Sequence, residues 1–261
     1  SDAANEIKAG AGDDVIDGGL GNDVLDGGEG IDKVLYSEAT DGVNVDLSTG
    51  LATGAMGSDT LSGIENIEGS GYNDSLTGSE VANEIKGGAG NDTINAGAGD
   101  DVIDGGMGND VLDGGEGTDK VLYSGASGGV NVNLSTGEVS GALGNDTLSG
   151  IENIEGSAYN DTLTGSDAAN EIKAGAGDDV IDGGLGNDVL DGGEGIDKVV
   201  YSAAPDGVNV DLAEGLATGA MGSDTLSGIE NVEGSGYNDT LIGSDAANEI
   251  KAGAGDDVID G

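Results

Sequence analysis

The sequence predicts an all-β solenoid of short, stacked strands. Three observations carry that prediction. The chain repeats in units of nine residues, each unit holds one aliphatic residue flanked by residues that must face the other way, and its 55 glycines fall at fixed places in the unit.

Composition narrows the possibilities first. The 261 residues include 52 Asp and Glu against 7 Lys, a formal net charge of −45. Such a surface repels nucleic acid and anionic membranes. There is no Phe, Trp, His or Cys and only 6 Tyr, so the aromatic anchors of a conventional layered core are missing. Charge and glycine content alone would read as disorder, and only periodicity argues otherwise. Without Cys there is neither a disulfide nor thiol chemistry. No stretch reaches the ~18 apolar residues of a membrane span, no secretory signal begins the chain, and no membrane insertion is expected.

The long period is set by "ANEIK", which starts at Ala4, Ala82, Ala169 and Ala247. The first and third intervals are equal, and the second is longer by nine. Long repeats therefore run 5–82, 83–169 and 170–247, with a partial copy at 248–261. The surplus of the second repeat is one phrase, "GGAGNDTIN" at 87–95, so the chain grows by nines. The stretch at 1–18 recurs at 166–183 and 244–261, which reads as a segment of a longer array.

Within the first repeat the nines are "AGAGDDVID" (9–17), "GGLGNDVLD" (18–26) and "GGEGIDKVL" (27–35). A connector without the glycine signature, two units long, follows at 36–53, with counterparts at 123–140 and 201–218. "GAMGSDTLS" (54–62) restores the phrase, "GIENIE" (63–68) is three residues short, and "GSGYNDSLT" (69–77) and "GSEVANEIK" (78–86) are degenerate copies. The first six residues of each phrase read as a turn and the last three as a minimal strand with one inward side chain. Inward residues such as Ile16, Leu25, Val34, Leu61, Leu76, Ile85 and Ile94 then form ladders. In the connector, Val43, Val45 and Leu47 alternate with polar residues before a "STG" turn. Its length of two units favours an ion-free coil over a hairpin excursion. If "GIENIE" counts as a half-coil, the repeats at 5–82 and 170–247 hold an odd number, and equivalent strands swap sheets.

One aliphatic per nine residues contributes ~1.5–3 kcal/mol against ~1–2 kcal/mol of backbone entropy for every residue ordered. Stacked turns also place sixth-position carboxylates one above another, which is repulsive. A cation between them reverses that sign. With neither imidazole nor thiolate available, hard oxygen ligands in an irregular cage select Ca²⁺.

"GGLGNDVLD", "GGMGNDVLD" (105–113) and "GGAGNDTIN" resemble the nonapeptide of RTX proteins, the hemolysin-type calcium-binding repeats. The resemblance implies a right-handed parallel β-roll with calcium ions between stacked turns, and type I export from Gram-negative bacteria. It implies sixth-position ligands at Asp14, Asp23, Asp32, Asp59, Asp74, Asp92, Asp101, Asp110, Asp119, Asp146, Asp161, Asp179, Asp188, Asp197, Asp224, Asp239 and Asp257. Turn carbonyls would complete each shell, from Gly10, Gly12, Gly19, Gly21, Gly28, Gly30, Gly88, Gly90, Gly97, Gly99, Gly106, Gly108, Gly115, Gly117, Gly175, Gly177, Gly184, Gly186, Gly193 and Gly195. Asn5, Asn83, Asn170 and Asn248 depart from the pattern, so calcium is expected to be weak or absent there. Tyr72, Tyr159 and Tyr237 replace the fourth-position glycine. The ninth-position Asp17, Asp26, Asp104, Asp113, Asp182 and Asp191 read as solvated outward residues.

No Ser-His or Cys-His arrangement is possible, and carboxylate pairs recur identically in every unit, unlike a catalytic pair. The chain therefore reads as no enzyme. Two functions fit: a calcium-rigidified extracellular rod of an adhesin, surface layer or filament, or an accessory calcium-dependent export and folding module of a secreted toxin or hydrolase. Expected partners are calcium ions, with end-to-end or lateral contact between copies of the chain.

Overall fold

The structure, a computed structural model, describes residues 2–261, and among these there are strands but no helix. The chain divides into two units, residues 1–122 with 143–151 and residues 123–142 with 152–261.

In the first unit one sheet runs, side by side, through Glu6–Ala11, Val24–Glu29, Gly57–Ser62, Leu51–Gly54, Val43–Asp46, Ser75–Ser79, Thr93–Ala98, Val111–Glu116 and Thr147–Ser149. The second sheet runs through Val15–Ile16, Lys33–Leu35, Asn66–Glu68, Glu84–Ala89, Val102–Met107 and Lys120–Leu122. Strands that neighbour in the sheet mostly lie two phrases apart in sequence and are parallel, because the chain visits the sheets alternately: Val24 pairs with Glu6, and Val102 with Glu84. This is a parallel β-roll. The eighth position of each phrase faces inward, so Leu76, Ile94 and Leu112 stack in one ladder and Ile67, Ile85 and Ile103 in the facing one, all at most 1% exposed. Each such side chain contributes about 1.5–3 kcal/mol of burial.

Several strands are longer than the minimal three residues. Val24–Glu29 and Val111–Glu116 continue through the glycine pair of the next phrase, with Gly28 paired to Gly10 and Gly115 to Gly97. In these phrases only the later part of the six-residue turn leaves the sheet.

The second unit repeats the plan. One sheet holds Glu138–Gly141, Val130–Asn133, Thr162–Ser166, Val180–Gly184, Lys198–Val200, Asn231–Glu233 and Ile250–Lys251. The other holds Asn153–Glu155, Glu171–Ala176, Val189–Glu194, Gly222–Ser227, Leu216–Gly219, Val208–Asp211, Thr240–Ile242 and Val258–Asp260.

The connectors are not the ion-free coil that their length favours. Val43–Asp46 turns back antiparallel onto Leu51–Gly54, which pairs antiparallel with Gly57–Ser62, so residues 36–53 form a hairpin inserted into one sheet. Val208–Asp211, Leu216–Gly219 and Gly222–Ser227 do the same, and Val130–Asn133 pairs antiparallel with Glu138–Gly141. Val43 and Val45 face the core and Asn44 the solvent, the alternation the sequence carries, but the "STG" turn reverses the chain within one sheet. Equivalent strands do swap sheets: Glu6–Ala11 and Glu84–Ala89, one long repeat apart, lie in different sheets of the first unit.

Candidate metal centre

The turn at residues 105–110, Gly-Gly-Met-Gly-Asn-Asp, shows how the phrase builds a site. Gly106 and Gly108 have φ of 87° and 149°, values that exclude most side chains. A Cβ on Gly105 would lie 2.6 Å from Asp110 Oδ2, and one on Gly108 would lie 1.5 Å from the Gly90 carbonyl oxygen of the preceding coil. The first glycine thus leaves room for the carboxylate and the fourth for a neighbouring carbonyl. The carbonyls of Gly88, Gly97 and Gly99 press on Gly106, Gly115 and Gly117 in the same way, so carbonyls of the second and fourth positions point along the stack.

Asp110 is 1% exposed. Its Oδ1 accepts the N–H of Asp92, one coil earlier, at 2.9 Å, and its own N–H donates to Asp146 Oδ1 at 3.0 Å. The pattern recurs: Asn5 donates to Asp23, Asp14 to Asp32, Asp74 to Asp92, Asn83 to Asp101, Asp101 to Asp119, Asp161 to Asp179, Asn170 to Asp188, Asp179 to Asp197, and Asp239 to Asp257. These bonds hold adjacent turns in register.

The second oxygen sorts the aspartates into classes. In Asp14, Asp23, Asp32, Asp92, Asp101, Asp110, Asp179, Asp188 and Asp197, Oδ2 is sealed from solvent and has no hydrogen-bond donor. A buried ionised oxygen left this way is costly. Burial pushes Asp110 and Asp188 up to about 7 and Asp92 and Asp179 up to about 6, with hydrogen bonds from the backbone of the preceding coil opposing it and neighbouring carboxylates adding to it. Asp101 and Asp197 move upward for the same first reason.

Other predicted ligands carry protein donors. Asp59 Oδ2 accepts the Tyr36 hydroxyl at 3.0 Å and Asp224 Oδ2 that of Tyr201 at 2.8 Å. Asp74 Oδ2 accepts the Ser70 N–H at 2.6 Å while its Oδ1 accepts the Ser70 hydroxyl at 2.7 Å, and Ser157 and Ser235 do the same for Asp161 and Asp239. Serine replaces the second-position glycine there. Among the described residues no non-glycine residue has a positive φ, so the serine turns take a different path. Asn83 is satisfied by protein groups: its Oδ1 accepts the Ser79 N–H at 2.7 Å and its Nδ2 donates to the Glu65 carbonyl at 2.6 Å.

Two sets of residues escaped the sequence reading. Glu65 and Glu230, in the shortened phrases, accept the N–H of Asp32 and Asp197 through Oε2, each at 2.9 Å. A longer side chain thus spans the missing residues, and counting two back from the inward Ile67 would have found Glu65. The fifth position forms an outer ladder, in which Asn73, Asn91 and Asn109 accept the N–H groups of Asn91, Asn109 and Asn145 at 2.8 Å. The ninth-position aspartates are less solvated than expected: Asp26, Asp104, Asp113, Asp182 and Asp191 are half-buried, and burial raises Asp104 and Asp182.

Among the described residues no group of three or more His, Cys, Asp or Glu side chains gathers to hold a metal ion. A cation in these turns would therefore draw on carbonyl oxygens as well as aspartates. Sealed, donorless carboxylate oxygens beside carbonyl-lined glycine turns fit a hard divalent ion.

The family model described as the RTX calcium-binding nonapeptide repeat matches residues 1–34, 59–80, 82–121, 148–172, 164–199 and 233–261. The chain belongs to this family. No curated protein matches it. RTX nonapeptides are calcium-binding repeats, so calcium is the cation the turns call for. The RTX matches leave out 35–58, 122–147 and 200–232, the stretches that contain the hairpins.

Proposed function

We propose that this RTX chain is a structural repeat segment of a bacterial protein at or outside the cell surface, such as an adhesin, surface layer or filament, which folds on meeting calcium after secretion. The observation that carries the reading is the repeated sealed Oδ2, a buried negative oxygen with no protein donor, at Asp14, Asp23, Asp32, Asp92, Asp101, Asp110, Asp179, Asp188 and Asp197. Those aspartates, with carbonyls of the paired turn glycines such as Gly88, Gly90, Gly106 and Gly108, are the residues that hold calcium. Bound calcium supplies the positive charge that cancels the repulsion between stacked turns.

The chain's own residues do the rest. The Oδ1 bonds space the turns, the inward aliphatics set the sheet register, and the glycines let the carboxylates approach. The carboxylates that destabilise the empty fold also keep the chain expanded where calcium is scarce. Because the sites exist only in the folded chain, binding free energy becomes folding free energy. Extracellular calcium modules work at about 10⁻⁴ to 10⁻³ M, a range that suits folding outside the cell. Circular dichroism with and without EDTA tests this: strand signal should appear with calcium and collapse on chelation. A strand signal indifferent to EDTA would overturn the reading.

A further inference from the structure

The hairpins interrupt the turn pattern in a way the calcium reading does not absorb. Tyr36 directly follows Leu35, the ninth residue of its phrase, and so stands where other phrases begin with glycine. In an ordinary phrase the sixth-position aspartate comes five residues later, as Asp23 does after Gly18; here Asp59 comes 23 residues later, with the hairpin between. The turn nevertheless closes. Gly57 bridges to Gly21 of the preceding turn, and Asp59 Oδ1 accepts the Asp23 N–H at 2.9 Å. Asp59 Oδ2 is the oxygen that has no donor in Asp23, and it receives the phenol of Tyr36. Tyr36 and Asp59 are each 3% exposed, so the ring occupies the space beside the carboxylate.

The other side of the hairpin is closed likewise. Val43, its first strand residue, donates its N–H to Asp74 Oδ1 at 2.8 Å, and Asp74 is capped by both the N–H and hydroxyl of Ser70. The second unit reproduces the whole arrangement: Tyr201 on Asp224, Val208 on Asp239, and Ser235 capping Asp239. Both brackets coincide with an inserted hairpin.

We infer that the Tyr36 and Tyr201 hydroxyls, seconded by Ser70 and Ser235, stand in for the cation at the turns flanking each hairpin and exclude calcium from Asp59, Asp74, Asp224 and Asp239. The inference rests on the calcium reading of the donorless aspartates. Physically, a donor already within hydrogen-bond distance satisfies the carboxylate. An ion entering Asp59 would have to displace a buried aromatic ring. Calcium therefore loads in blocks, with these two hairpins clasped by protein groups alone.

The test counts calcium bound to the whole chain by equilibrium dialysis at saturating calcium, for the wild type and two double variants. Asp59→Asn with Asp224→Asn should leave the ion number unchanged. Asp110→Asn with Asp188→Asn should lower it by at least one ion. An equal effect in the two variants, with the wild type loading calcium, overturns the inference alone. A wild type that takes up no calcium overturns the proposed function and this inference together. Should a variant fail to fold, calcium anomalous scattering from wild-type crystals decides: an ion within about 2.3–2.6 Å of an Asp59 or Asp224 carboxylate oxygen refutes the exclusion, and density only at donorless aspartates upholds it.

Discussion

Acidification of the calcium-free chain is the perturbation that separates metal-driven folding from ordinary burial. Asp110 and Asp188 are pushed up to about 7, and Asp92 and Asp179 to about 6, by burial, whereas an unfolded chain titrates its aspartates near ~3.9. At roughly 1.4 kcal/mol per unit, each group disfavours the ionised apo fold by about 3–4 kcal/mol, and the four together by on the order of 10 kcal/mol. That is comparable to the whole stability of a typical domain, about 5–15 kcal/mol. The sign follows from the direction. These pKa values are raised in the fold, so their contribution is favourable at low pH and is lost as pH rises through about 6 to 7. In EGTA, far-UV circular dichroism should therefore show strand structure growing as pH falls from about 8 toward 5, while protons compete with calcium and weaken its binding over the same interval. Acid also relieves the general repulsion of a −45 chain, so a variant at fixed pH isolates the site. Replacing Asp92, Asp110, Asp179 and Asp188 together by Asn keeps an Oδ1 acceptor and should give an apo chain folded at pH 8. The same exchange at the exposed Asp13, Asp100, Asp178 and Asp256 should not. Strand signal in EGTA that is flat or rises with pH would refute the reasoning, as would equal behaviour of the two variants.

Gly108→Ala should abolish calcium-induced folding of its turn, because its φ is 149° and the added carbon meets the Gly90 carbonyl at 1.5 Å; calcium titration followed by circular dichroism would show a higher midpoint and a smaller amplitude. Asn109→Ala removes one rung of the outer ladder, the acceptor of the Asn145 N–H, and should cost about 1 kcal/mol in a thermal melt while leaving the number of bound ions unchanged.

Much of this was legible because the period is strict. Once the phrase is fixed at nine residues, Leu25, Ile85 and Leu112 fall inward and Asp23, Asp92 and Asp110 fall in turns, and the structure buries all six. The hairpin was not legible from length, since a connector equal to two phrases has the same length whether it coils or folds back. What distinguishes the two is a pairing, Val45 with Ala52 on one side and with Leu76 on the other, and local alternation does not reveal it. Nor does spacing show which aspartates lack a donor. Asp23 and Asp59 hold the same place in the same phrase, and the difference between them is a tyrosine 23 residues upstream of Asp59. Ser70 was visible as a substitution, but its consequence lies in backbone direction: it turns an N–H toward Asp74 where a positive-φ glycine would not.

The nine-residue unit has a further structural meaning, because each phrase is one visit to one sheet. A hairpin adds its strands to a single sheet and so counts within one visit. The parity of visits between two hairpins then decides whether they belong to the same sheet. In the first unit, Gly57–Ser62 and Thr147–Ser149 hold equivalent hairpin positions an even number of visits apart, and both lie in one sheet. In the second unit, Val130–Asn133 and Val208–Asp211 are an odd number of visits apart and lie in opposite sheets. The single phrase at 87–95 makes that difference. Adding or losing nine residues gives the flanking turns new partners of the same kind, as Asp74 bonds to Asp92 of the added phrase where the equivalent Asp239 bonds to Asp257, yet transfers each later hairpin to the other sheet. A change of one phrase in the length of such a repeat therefore decides which sheet carries the next hairpin.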